Sequence, residues 1–185
     1  MYTSDHVSAG ARYGSLLDEI HQEFPTFRIV RKDESRLQRA IDLALRTLTA
    51  GKMTSYLTRY QTTIGTTVYV SADWDDRSDE ERYVTMRHER VHLRQFARLT
   101  LPVMAVLYLL VPVPMGLAWC RARLEWAAYR ETIVAAAEVH GPGYVRAPRF
   151  RAAIIDQFTG PAYGWMWPIR RDLERWYDEA LETGR

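Results

Sequence analysis

The chain has 185 residues, 47% of them hydrophobic and 26% charged, which is enough to build one proper core and too few for two comfortable ones. A net charge of +2 excludes a strong electrostatic pull toward phosphate backbones, so no nucleic-acid partner is expected; the positive charge is nearly all arginine, Lys32 and Lys52 being the only lysines. The single cysteine, Cys120, excludes an intramolecular disulfide.

The opening "MYTSDHVSAGARYG" lacks the basic start and apolar core of a secretory signal, so one domain spanning 1–185 in a reducing cytoplasm is expected. "SLLDEIHQEF" reads as a short helix before Pro25. In "DESRLQRAIDLALRTLTAG", Leu37, Ile41, Ala44, Leu45 and Leu48 recur at helical spacing, Asp33 or Ser35 can cap the start, and Gly51 can end it. "TTIGTTVYVSADW" is rich in Thr, Val, Ile and Tyr, and alternates Thr67, Tyr69 and Ser71 with Val68, Val70 and Ala72, which predicts a strand or hairpin. No other stretch reads as sheet. "DDRSDEERYVTMRHERVHLRQFARL" then starts a helix, with Ser78 or Asp79 as cap and acidic residues in its first turn.

From Thr100 to Cys120, "TLPVMAVLYLLVPVPMGLAWC", no residue is charged, and the run is long enough to cross a bilayer core. Pro102, Pro112 and Pro114 each interrupt helical hydrogen bonding, so a broken hairpin is expected: a short apolar helix over 103–110, then a turn at "VPVPMG". "MGLAWCRARLEWAAYRETIVAAAEVHGPG" resumes as a long helix to about Val139, stopped by Gly141, Pro142 and Gly143. "PRFRAAIIDQF" reads as another helix, "TGPAYGWMWP" as an aromatic loop and "IRRDLERWYDEAL" as a closing amphipathic helix. The sum is a mainly α (α+β) fold with a small β-hairpin or sheet ahead of the motif helix.

That helix carries "HERVH". Histidines at i and i+4 present both rings on one helix face, as a shared zinc ion requires, so His88 and His92 are candidate ligands. Glu89 sits beside them, where it can take a proton from water activated by zinc and pass it to a leaving amine. The competing reading is a surface helix with two solvated histidines. A catalytic zinc needs a third protein ligand, for which Glu125, Glu131, Glu138 and His140 are the downstream candidates. Glu125 is the best placed, because it opens "EWAAYRET" among apolar neighbours, as a carboxylate turned into a core would. Glu131 is about 240° round the same helix and cannot share that face. His140 stands at a helix end, where a positive cap is the commoner role.

At these residues the chain resembles the gluzincin metallopeptidases, and more narrowly small single-domain HExxH proteins of bacteria and their phages. "HERVH" looks like their HExxH, and "EWAAY" looks like the glutamate helix written ExxAD or ExxAY. The resemblance covers roughly 62–131 and implies a zincin-like helical domain, Zn2+ held by His88, His92 and Glu125, and Glu89 as catalytic base in peptide or amide hydrolysis. It implies too that "TTVYVSA" is the edge strand on which an extended peptide aligns. In many gluzincins an aspartate four residues after the ligand glutamate holds a zinc histidine; Tyr129 stands there, a phenol that raises ligand basicity less. Gln95, one turn after His92, is a glutamine such small proteins often carry, or a surface polar residue.

If the uncharged run crossed a membrane as one straight helix of about 30 Å, His92 and Glu125 could not meet at one ion. A hairpin that returns Glu125 to the histidines can be core, a peripheral membrane contact through 100–120, or an oligomer interface. The loop "FTGPAYGWMWP" either packs in the core or walls the site, with Tyr163 donating to the oxyanion and Tyr129 or Tyr144 as alternatives. The leading expectation is thus a cytoplasmic zinc metallopeptidase acting on a peptide or protein substrate. The alternative is a zinc-stabilised, non-catalytic binding module, with or without membrane association; under either reading the surface of the inner membrane is the other location open to the chain.

Overall fold

The computed structural model describes residues 8–48, 61–99, 103–104, 116–160, 166–167 and 169–183. The chain forms two compact units, Met1–Glu89 and Arg90–Arg185. The fold is mainly helical with one small sheet, as the sequence pattern predicts.

In the first unit, helix α1 (Ala9–Glu23) begins where the Ala11 amide donates to Ser8 Oγ at 3.2 Å and ends at Phe24, ahead of Pro25. Leu16 and Ile20, one turn apart, are its buried face. The helix is longer than "SLLDEIHQEF" alone predicts, because "AGARYG" extends it backward without adding an apolar stripe. Strand β1 (Arg28–Arg31) is a finding the sequence pattern misses; it pairs in parallel with β3 (Thr67–Val70), Arg28 opposite Thr67 and Arg31 opposite Val70. Helix α2 (Arg36–Leu48) follows, its start capped by Ser35 Oγ, which accepts from the Gln38 amide at 3.3 Å. Gly51 and the side chains of Leu37, Ala44, Leu45 and Leu48 lie outside the described residues.

Strand β2 (Thr62–Ile64) runs antiparallel to β3, and Gly65, at φ +60°, supplies the left-handed turn between them. The order is β1-β3-β2. That order corrects one expectation. "TTVYVSA" is not the edge strand but the central one, bonded on both sides, which is why Thr67, Val68 and Val70 are all buried rather than alternating. Among the described residues the edges are β1 and β2. After β3, buried Ser71 Oγ donates to Asp73 and accepts from Gln61 at 3.1 Å and Arg77 at 3.2 Å, tying off the loop that leads through Trp74–Asp76 into the motif helix.

That helix, α3 (Asp79–Arg98), runs through the boundary between the units. Its start is a reciprocal cap: the Glu81 amide donates to Ser78 Oγ at 3.2 Å and the Ser78 amide donates to Glu81 Oε2 at 3.1 Å. Beyond it, Val103 and Met104 are helical, Val103 exposed and Met104 buried; the rest of the expected apolar helix and the "VPVPMG" turn lie outside the described residues. Among the described residues no helix is long and apolar enough to cross a membrane.

In the second unit, helix α4 (Gly116–His140) ends at Gly141, whose φ of +84° only glycine adopts easily. The helix stops where expected, and the stop is also a corner: Pro142 starts a short helix α5 (Pro142–Arg146), and Pro148 starts α6 (Pro148–Thr159). Helix α7 (Arg170–Thr183) closes the chain, burying Leu173, Trp176, Tyr177 and Ala180 at helical spacing. The core of this unit forms around α4. Trp126 packs against Phe158 at 5.8 Å and Trp176 at 5.7 Å between ring centres, and Tyr129 meets Phe158 edge-on at 5.2 Å. Buried Tyr177 donates from its hydroxyl to the Val145 carbonyl at 2.6 Å, locking α7 to α5. Trp126 is the neighbour of Glu125, so the aromatic cluster fixes the turn of α4 that carries the carboxylate.

Candidate metal centre

The i, i+4 spacing on α3 puts His88 and His92 on one helix face. His92 is buried, and its Nε2 lies 3.6 Å from Glu125 Oε2. His88, His92 and Glu125 each offer one ligand atom, and these atoms all lie within 4.8 Å of one another, so the three form a group that could hold a metal ion. Helix α4 therefore does return Glu125 to the motif. A single straight membrane span between His92 and Glu125 is incompatible with that distance.

The chemistry of the set fits a cation. Glu125 is only 3% exposed, and among the described residues its Oε2 has no hydrogen-bond partner. A buried carboxylate oxygen without a donor costs on the order of 1–3 kcal/mol or more, so such atoms in proteins call for an ion or another partner. Ligand bonds of about 2.1 Å in a tetrahedral shell place donor atoms roughly 3.4 Å apart. The 3.6 Å pair already meets that separation, and all the ligand atoms of the group lie within 4.8 Å of one another.

Of the other proposed third ligands, neither Glu131, Glu138 nor His140 joins the group; His140 is exposed, with its ring 4.5 Å from that of Tyr144. Tyr144 is itself 46% exposed, against His140 and Phe150. Tyr163 lies outside the described residues.

Glu89 is buried, 5% exposed, and its Oε2 accepts from Thr63 Oγ1 at 2.7 Å. Thr63 belongs to β2, so the sheet edge touches the carboxylate directly. Lys32, just past β1 and wholly buried, also faces this carboxylate. Burial pushes its ammonium down to about 8, while the negative charges of Glu89 and Asp42 oppose the fall, so Lys32 is largely charged at neutral pH. Sequence patterns single out neither Thr63 nor Lys32. The one available signal for Lys32 is compositional: it is a lysine in a chain that uses arginine nearly everywhere else.

Gln95 is no bystander on the surface. His92 Nδ1 and Gln95 Oε1 are 2.9 Å apart, and Gln95 Nε2 donates to the Leu124 carbonyl at 2.9 Å. Gln95, from the same helix, is thus one residue beside His92; Tyr129 is buried with its ring on Phe158. Comparison with protein-family models, curated proteins and solved structures gives no match to this chain.

Proposed function

We propose that the protein is a zinc-dependent metallopeptidase of gluzincin type, hydrolysing a peptide or amide bond with Glu89 as general base. The observation that carries this reading is the buried, unpartnered Glu125 oxygen 3.6 Å from His92 Nε2, on the helix where "EWAAY" places a third ligand. Two imidazoles and a carboxylate are a donor set suited to zinc. Zinc held there would act as a Lewis acid and lower the pKa of a water to about 7. Around it, the chain supplies the rest. Thr63 fixes the Glu89 carboxylate, and Glu89 accepts the proton and delivers it to the departing amine. An extended peptide would pair along the β2 edge, whose residue Thr63 touches that carboxylate. Tyr163 is the proposed oxyanion donor.

Elemental analysis of the purified protein should give one zinc per chain, lost in His88→Ala. Glu89→Ala should keep the zinc and abolish cleavage of an unstructured protein substrate. A metal-free native protein would remove the zinc reading, and turnover surviving in Glu89→Ala would remove Glu89 as base.

One observation favours a second reading, a zinc-stabilised binding module without turnover. The buried Lys32 ammonium is a positive charge beside Glu89, the group that turnover would require to take up a proton. Zinc bound at full occupancy with no cleavage across a broad peptide library would select that reading.

A further inference from the structure

We infer that Gln95 is a positioning residue that fixes the tautomer of His92, placing the ring proton on Nδ1 and leaving the Nε2 lone pair toward Glu125 and the metal. The inference rests on the metal reading of this site but concerns a proton in the metal-free protein, which can be observed separately.

One group in this chain of bonds has a fixed polarity. The Leu124 carbonyl can only accept a hydrogen bond. At 2.9 Å from it, the Gln95 side chain must present its NH2 end. The amide is planar, so its other end, the carbonyl Oε1, is the atom that faces His92 Nδ1 at 2.9 Å. A carbonyl facing a ring nitrogen at that distance requires the nitrogen to carry the proton. In a neutral imidazole only one nitrogen is protonated, so Nε2 is left as a lone pair. Polarity set by one backbone carbonyl on α4 thus passes through Gln95 to a ligand atom on α3.

The alternative is real, because a second acceptor competes for the same proton. Glu125 Oε2 lies 3.6 Å from Nε2 and has no hydrogen-bond partner among the described residues, so a proton on Nε2 would be drawn toward it. That arrangement would cap the ligand atom with hydrogen and oppose metal entry. At 3.6 Å the contact is beyond hydrogen-bonding range, whereas 2.9 Å is ideal, so the Gln95 bond wins. The same side chain also ties Leu124, next to Glu125, to the His92 turn, so two roles must be separated: setting the tautomer and tethering α4.

Two substitutions separate them. Gln95→Leu removes both roles. Gln95→Glu keeps an acceptor for Nδ1–H but cannot donate to the Leu124 carbonyl, so it keeps the tautomer and loses the tether. Ring nitrogen NMR of the metal-free full chain, with the His92 signals assigned by their loss in His92→Asn, should show wild-type Nδ1 protonated and Nε2 bare. Gln95→Leu should shift the proton to Nε2 and weaken zinc affinity, measured against a competing chelator, by about 10–100-fold. Gln95→Glu should keep the wild-type tautomer and restore zinc affinity to within about threefold of wild type or tighter, since a carboxylate raises ligand basicity. Wild-type protein with the proton on Nε2, or Gln95→Glu as weak for zinc as Gln95→Leu, would overturn the inference. Should Gln95→Leu not fold, the wild-type spectrum and the Gln95→Glu affinity decide. A wild-type chain that binds no zinc would instead sink the metal reading, and its His92 spectrum would still settle the tautomer.

Discussion

A carboxylate such as Glu125 is a burden to a metal-free protein. It is 3% exposed with one oxygen unpartnered, so folding strips its water without returning an equivalent bond. Replacing it by the neutral isostere should relieve the electrostatic part of that burden and destroy the ligand. Glu125→Gln is therefore expected to bind zinc at least about 100-fold more weakly, while its metal-free form melts at or above the temperature of metal-free wild type. A metal-free Glu125→Gln that melts clearly lower would mean the carboxylate is structural. Lys32 supplies the complementary test, because its folded ammonium is depressed to about 8 from 10.5 by burial. Between those values the unfolded chain holds a proton that the folded chain lacks, so stability must rise with pH. The contribution is fully present above about 10.5 and lost as pH falls through about 8. Urea unfolding from pH 7 to 10.5 should show wild type gaining stability relative to Lys32→Met; parallel curves would show that Lys32 titrates normally. At this scale the sequence points to the group that could hold an ion, since HExxH is a spacing and spacing is local. It does not expose Lys32 or Thr63, because their relation to Glu89 exists only once β1, β2 and α3 are folded.

Helix α3 must present His88 and His92 from a well-formed backbone, and its start is where a small chemical change can weaken it. Ser78 and Glu81 satisfy each other's amides, and Asp79, Glu80 and Glu81 place negative charge at the positive end of the helix. Ser78→Ala should cost about 1 kcal/mol, read as a lower urea midpoint at unchanged slope. Zinc affinity should change little, since His88 lies beyond the first turns; a loss comparable to His88→Ala would show that the cap controls the site itself. This cap was legible in "SDEE", as were α2 and α7 in their amphipathic patterns. The sheet was only half legible. The hairpin announces itself by β-branched residues around Gly65, but "RIVR" is four residues with arginine at both ends and no alternation, and its partner is β3, far along the chain. The consequence is functional as well as topological: β1 occupies one side of β3, which moves any peptide-pairing edge from "TTVYV" to "TTI".

For the whole chain, the proline-broken run between Arg98 and Arg121 was the obstacle to any zinc site, and the distance between His92 and Glu125 removes it. A chain that brings candidate ligands from separate helices together only in the folded state must gain stability from any ion they hold, because an unfolded chain presents them far apart. At free zinc a thousandfold above the dissociation constant the gain is about 4 kcal/mol, which for a chain of this length raises the melting temperature by roughly 8–16 °C. A chelator should therefore lower the wild-type melting temperature by that order, and added zinc should restore it. The same treatment should leave Glu125→Gln nearly unmoved, since that variant has already lost the coupling between ligand and fold. The control also separates zinc from nonspecific chelator effects, which would shift both proteins alike. Equal shifts in wild type and Glu125→Gln would mean that any bound metal sits elsewhere, and the His88, His92 and Glu125 group would lose its claim to it.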